Sequence, residues 1–392
     1  MPNKIIFPLW VLGGLALLLY SFTQVDLSLT LSQASFLQQV QKSFQYIGWF
    51  NRPLSTYLYI GIVSYLLILF IATLLLVSKN KISKKSLWII IISLAVILIP
   101  SYNAFSYDLF NYIFDARIVT FYHLNPYELK ALDFPNDAML SFMRSTHRVY
   151  PYGPGWLFIT VPIAFITNEI FALTLILFKA LSAVSYLGTV YFLYKLVGLL
   201  KIKNINLTVA FFALNPLVVI EALVSSHNEI VMMFFAVVSF YFLFRKKYAF
   251  SISSIILSIG VKYATAFMIP IYLFKIFVKK ISDKKLIELT AFFSILAVVL
   301  TSIASGQNKN PEFQPWYLLL AAPFVPLLEN KFIKFVFVAV CFVSLLSYLP
   351  LLYNGEWLTD MVGFKNTLLL VGVIAGGVSY VAFRFFPNKL RG

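Results

Sequence analysis

The stretch SYDLFNYIFDARIVTFYHLNPY, residues 106–127, gathers Asp108, Asp115 and Arg117 in a chain that otherwise avoids charge. A helix over 107–116 would put Asp108, Asn111, Tyr112 and Asp115 on one face, at i, i+3, i+4 and i+7. A carboxylate at the boundary between water and an apolar medium is partly desolvated, which raises its proton affinity toward the range where a general base works. Asp108 is the first ionisable residue after a long apolar run and is the candidate for that chemistry. The plainer alternative is an interfacial helix start, where an acid is favoured by the helix dipole. Arg117 falls off the shared face unless the helix breaks, so it either braces the loop or reaches a ligand.

Other candidates follow along the chain. The turns Asn125-Pro126-Tyr127 and Tyr150-Pro151-Tyr152-Gly153-Pro154 punctuate a loop long enough to be functional. Within it Arg144 and Arg148, at i and i+4, form either a phosphate-binding pair or a plain surface stripe. In NPLVVIEALVSSHNE, residues 215–229, Pro216 should kink an apolar run that ends at Glu221 and His227-Asn228-Glu229. Those residues make a solvated connection or a ligand-binding turn; a metal site of His227, Glu229 and Glu221 matches no recognised ligand spacing. Lys262, in SIGVKYATAFMIP, is costly among apolar residues unless paired, so it either pins two helices or holds an anion. Gln314 precedes Pro315-Trp316-Tyr317, where Trp and Tyr suit a membrane boundary and glutamine is unexplained by it. Lys179 is a second cation inside an apolar run, deeper, and reads as structural.

The elements that must position these residues are set by composition. Hydrophobic residues make up 60% of the chain and charged residues 12%, too little charge to cover a soluble protein of this size. Open sheets cannot satisfy their backbone in lipid, so the expected fold is an all-α polytopic membrane protein. A single cysteine, Cys341, excludes an intramolecular disulfide and a cysteine-based metal site. The formal charge of +16 lies in short clusters between apolar runs, as topology signals do, and points to no nucleic-acid partner.

Apolar segments at 5–22, 54–77, 87–105, 170–195, 207–224, 230–244, 249–260, 264–278, 286–304, 316–328, 335–352 and 366–384 predict about twelve spans. A further segment, 155–168, must be re-entrant or interfacial. A full crossing there would put Lys201, Lys203 and every later basic cluster on the side opposite Lys79, Lys81, Lys84 and Lys85. Those clusters continue through Lys195, Arg245 to Lys247, Lys279, Lys280, Lys284, Lys285, Lys331, Lys334, Lys389 and Arg391, and mark the cytoplasmic side. Both termini are then cytoplasmic, with outer loops at 23–53, 106–153, 225–229, 305–315 and 353–365. Segments 249–260 and 264–278 read as a helical hairpin with Lys262 at its outer tip. The first segment reads as a retained span. The whole chain, 1–392, is one membrane domain: a two-span extension at 1–86, a core at 87–330 and C-terminal spans at 331–392. A secondary transporter would share the span count, but its site should lie at mid-membrane on broken helices. Here the polar residues gather at one face.

Taken in order, the motifs resemble the membrane-embedded GT-C glycosyltransferases, especially the prokaryotic polyprenyl-phosphate-mannose-dependent mannosyltransferases. That family's D-x-F-x-Y-x-x-D-x-R is matched by Asp108, Phe110, Tyr112, Asp115 and Arg117, its N-P-Y by Asn125 to Tyr127, and its Y-G-P by Tyr152 to Pro154. Asn215-Pro216-Leu217, Glu221, the turn Ser226 to Glu229, Lys262 and Pro315-Trp316-Tyr317 complete the series. The likeness runs from about 100 to 330. In three places the chain departs from it: His123 and Ser226 stand where glycine is usual, and Glu229 replaces an aspartate.

The resemblance implies a GT-C-like fold and inverting transfer of a hexose, as mannose, from a polyprenyl-phosphate carrier to a hydroxyl of a glycan or glycolipid, at the outer face of the plasma membrane. It makes Asp108 the base. Lys262 is the first candidate to hold the donor phosphate, with Arg117, Arg148 and His227 behind it. Asp115, Tyr112, Glu221, Asn228 and Gln314 would contact sugar or acceptor hydroxyls. Membrane lipids are the surroundings, and no cofactor or metal is implied. A lipid-linked glycan polymerase or ligase would place its basic residues similarly.

Overall fold

A computed structural model describes residues 2–278, 281–305 and 312–385. The basic residues Lys279, Lys280, Lys389 and Arg391, and loop residues 306–311, lie outside the described residues. Regular structure among the described residues is helical, apart from an isolated bridge between Lys130 and Val149. The all-α expectation holds, and the protein is a polytopic helical membrane protein.

The expected count of about twelve spans is not confirmed. Among the described residues six helices are long and apolar enough to cross a membrane: Ile5–Thr23, Arg52–Ser78, Phe171–Leu199, Asp283–Ser305, Lys331–Asn354 and Met361–Phe385. A seventh is the pair Ile205–Ala213 and Pro216–Val224, bent by 50°, where Pro216 removes a backbone donor and its ring displaces the preceding turn. Glu229–Phe244, Tyr248–Val261 and Tyr263–Phe277 are shorter than the roughly 20 residues a bilayer core requires. The expected span 316–328 forms no continuous helix. It is built from 3₁₀ turns at Pro315–Leu320 and Val325–Leu327, because Pro323 and Pro326 each deny the chain an α-helical hydrogen bond. The helix Pro154–Ile166 has 13 residues, about 20 Å of rise, short of a hydrocarbon core of about 30 Å.

Three local features bring the candidate residues to one end of the bundle. Ser106 Oγ accepts from the Asp108 N–H at 3.1 Å and Asn103 Nδ2 donates to the Ser106 carbonyl at 2.8 Å. This turn fixes the start of the helix Asp108–Thr120. After the Pro216 bend the chain widens into a π-helix, Val219–Val224, and then reverses at Ser226, whose φ of 53° is left-handed. The helix Glu229–Phe244 starts directly afterwards. Finally, the start of Pro154–Ile166 lies against Gly260: a Cβ at Gly153 would stand 2.2 Å from the Gly260 carbonyl oxygen. Only glycine permits that approach, which sets Tyr152 beside Lys262.

The expected hairpin is corrected in one respect. Lys262 does break the chain between Tyr248–Val261 and a 3₁₀ turn, Tyr263–Met268. The two limbs touch near the break, where Ser258 Oγ donates to Thr265 Oγ1 at 2.9 Å, but each packs mainly on another helix. Tyr248–Val261 packs along Glu229–Phe244, and the second limb packs on Asp283–Ser305. The two-span N-terminal segment is joined to the rest by buried contacts. Tyr59 donates to the Leu345 carbonyl at 2.8 Å, and the rings of Tyr20, Tyr59, Phe105 and Tyr348 form a continuous aromatic column.

Candidate active site

Asp108 opens its helix with a side chain 23% exposed, facing the fully buried His227. The imidazole Nδ1 lies 3.6 Å from Asp108 Oδ2, and Nε2 lies 3.3 Å from Glu221 Oε2. The ring is held flat on Trp316, with centroids 4.1 Å apart and planes 18° from parallel. Glu221 is fixed in turn by the Tyr348 hydroxyl, which donates to Oε1 at 2.9 Å. The backbone N–H of His227 returns to the Glu221 carbonyl at 3.1 Å, so the π-helix and the turn after it deliver both side chains as a unit. Beside this row Lys262 is ion-paired to Glu229. Its ammonium lies 5.6 Å from the Tyr152 ring and 5.7 Å from that of Tyr317, within cation–π range. Lys262 is 21% exposed while Glu229 is buried. A carboxylate and an ammonium therefore reach open space over a wall of enclosed polar groups.

That wall is unusual in its hydrogen bonding. Asn111 Nδ2, the Tyr112 hydroxyl, Trp156 Nε1, both amide atoms of Asn228, the hydroxyls of Ser225 and Ser226, and one oxygen each of Glu221 and Glu229 are buried without a partner in the protein. Buried polar groups are nearly always paired. A dense cluster of exceptions, rich in donors and acceptors of neutral type, suits a ligand carrying many hydroxyls. Asp115 lies on the same helix face as Asp108. Burial pushes its carboxyl up to about 8, against the pull of the Arg148 charge and with a push from Asp108, so at neutral pH it is a hydrogen-bond donor.

Not every residue singled out from the sequence arrives here. Arg117 is half a turn away, with Nε donating to Asp137 at 2.8 Å, Nη1 to Glu169 at 3.3 Å, and its guanidinium 4.2 Å from the Phe121 ring centroid. It lines a separate cavity of about 680 Å³ with Phe142 and Phe171. Arg144 lies 4.0 Å from Asp26 and over the Tyr107 ring. Arg148 is exposed and its charge bears on Asp115. Gln314 accepts from Lys365 and donates to Glu312, each at 2.7 Å, tying the last helix to the Pro315 turn. Glu221 is wholly enclosed, facing His227 and Tyr348. Among the described residues no three His, Cys, Asp or Glu side chains converge as a metal site.

Sequence reasoning missed the roles of three participants. The pairing of Tyr348 with Glu221 joins residues 127 apart, and nothing local marks it. Trp156 follows the Tyr-Gly-Pro turn closely enough to have been suspected. Trp316 read as a boundary residue, and its stacking on His227 depends on the 3₁₀ geometry that the prolines impose.

A family model described as alpha-(1->6)-mannopyranosyltransferase, N-terminal domain, matches residues 10–278. The match includes most of the first N-terminal span, the second, and all of the Asp108, Glu221, His227, Glu229 and Lys262 cluster, and ends before Trp316. Searches of curated proteins and of solved structures each returned no match.

Proposed function

Because the chain belongs to the alpha-(1->6)-mannopyranosyltransferase family, and so is a membrane mannosyltransferase, we propose that it moves mannose from a polyprenyl-phosphate carrier to a hydroxyl of a glycan or glycolipid, with inversion, at the outer face of the plasma membrane. The observation that carries this reading is the reachable pair Asp108 and Lys262 set over the unpartnered polar wall. Asp108 accepts the proton of the acceptor hydroxyl as its oxygen attacks the anomeric carbon. The bond from that carbon to the phosphate oxygen breaks on the opposite face, and its electron pair stays on the lipid phosphate. Lys262, held by Glu229, meets charge that exists only as this bond breaks, which lowers the barrier and not merely the ground state. A single displacement inverts the anomeric centre. His227, backed by Glu221 and Trp316, orients Asp108, while Asp115, Tyr112 and Asn228 read hydroxyls.

Two further features support the donor class and the side. No nucleotide-binding sheet is present among the described residues, in keeping with a lipid-linked donor. Lys84, Lys203 and Asn80 share one small cavity, and Arg245 ends the helix that Glu229 begins. Arg245 thus stands at the opposite end of that helix from the site, and positive residues favour the cytoplasmic side.

The test is turnover by purified protein with polyprenyl-phosphate mannose and a glycan acceptor, comparing wild type with Asp108→Asn. The amide keeps the shape and cannot take a proton, so kcat should fall at least about a hundredfold. Unchanged kcat would remove Asp108 as base. Solute uptake into vesicles, with no transfer by wild type, would replace the enzyme reading with a transporter.

A further inference from the structure

Lys179 is the buried cation that the mechanism above leaves unused. It sits within Phe171–Leu199 at 1% exposure, and no carboxylate lies within 4 Å of it among the described residues. Its Nζ donates instead to two backbone carbonyls, those of Leu223 at 2.5 Å and Val224 at 2.6 Å. These are the last two carbonyls of the π-helix Val219–Val224. A continuing helix would satisfy them with N–H groups further along, but the chain turns away at the left-handed Ser226 and the His227 N–H goes back to Glu221. Helix-end carbonyls that are buried need another donor, and Lys179 supplies both bonds from the neighbouring helix, whether its amine carries two protons or three.

We infer that Lys179 is a positioning residue: it caps the π-helix and so fixes the turn Ser225 to Glu229, which sets His227 against Asp108 and Glu229 against Lys262. Small errors at such a turn are expensive, because a displacement of about 1 Å in a reacting group costs up to about a hundredfold in rate. Methionine fills the same space without a donor. In Lys179→Met, amide hydrogen exchange at 225–229 should accelerate while that of Phe171–Leu199 stays as in wild type. Transfer should show kcat about tenfold to a hundredfold lower, with KM for the lipid donor within about twofold. The kinetic part rests on the mannosyl-transfer reading and the exchange part does not, so a protein without transfer activity still answers the question. Unchanged exchange at 225–229, or wild-type kcat per folded molecule together with a lowered Tm, would make Lys179 merely structural and overturn the inference. If the Met variant does not fold, Lys179→Gln, whose shorter amide reaches one carbonyl at most, is read by the same two criteria.

Discussion

Two charged clusters flank the helix Asp108–Thr120, and they are built differently. Around Arg117 every group finds a partner: Asp137 takes a hydrogen bond from Arg117 at 2.8 Å, from the Tyr122 hydroxyl at 2.8 Å and from the Met139 N–H at 2.9 Å, while Glu169 takes a second from Arg117. Burial alone would raise the Asp137 carboxyl. The Met139 N–H, the guanidinium and the phenol together hold it below the usual carboxylate range. Around Asp108 the carboxylate contacts of His227 stand at 3.6 and 3.3 Å, and polar atoms of Asn111, Tyr112, Trp156 and Asn228 are left over. A saturated network has nothing to offer a ligand and makes good scaffold. An unsaturated one stores its binding capacity at a cost in stability, as functional sites commonly do.

The contrast is broken most directly by removing one cation from each cluster. Lys262→Met is best made with Glu229→Gln, so that no buried carboxylate is stranded. This variant should keep its Tm within a few degrees and lose about a hundredfold to a thousandfold in kcat. Arg117→Met should do the reverse. Asp137 would keep two donors but lose its counter-charge, costing about 1–3 kcal/mol of stability, with kcat within about threefold. Thermal melts and turnover on the same preparations decide it. If Arg117→Met abolished transfer at unchanged Tm, the second cluster would be part of the site.

How much of this the sequence disclosed follows from the range of each interaction. The shared face of Asp108, Asn111, Tyr112 and Asp115 was readable because helical spacing is fixed by local geometry, and the Pro216 kink because proline acts on its own backbone. The same phase argument left Arg117 between two roles, and its partners Asp137 and Glu169 lie in separate loops. The partner of Lys262 is 33 residues away and that of Glu221 is 127 away; only packing brings them together. The span count was not legible for a related reason. Hydropathy reports that 316–328 is apolar, but Pro323 and Pro326 decide that it is a stack of 3₁₀ turns buried by protein.

A subtler sharpening uses pH. Asp115 carries a carboxyl raised to about 8, first by burial and further by Asp108, with Arg148 opposing. Between the ordinary carboxylate range and about 8 the folded state therefore binds a proton that the unfolded chain has lost. Stability should fall as pH rises through that window and level off above it. Asp115→Asn is neutral throughout, so its Tm should decline less over the same interval and exceed that of wild type at the alkaline end. Asp137, already paired, should show the opposite dependence, losing its stabilising contribution only as acid protonates it. Parallel Tm–pH curves for wild type and Asp115→Asn would remove burial as the distinguishing feature of the Asp108 side.

The smallest effect concerns why two glycines usual in the resembled motifs are replaced here. His123 and Ser226 both hold left-handed backbone, with φ of 56° and 53°. At these positions glycine is favoured for conformation and not for chemistry, since a Cβ crowds the following carbonyl there. The serine hydroxyl at 226 has no partner in the protein, so nothing local offsets that cost unless a ligand uses it. Ser226→Gly should therefore stabilise the fold by about 0.5–1 kcal/mol, read as a Tm rise. If the hydroxyl belongs to the unsaturated wall, the same variant raises KM for donor or acceptor while Tm increases. A rise in Tm with KM unchanged assigns Ser226 to the backbone alone and takes its hydroxyl out of the wall.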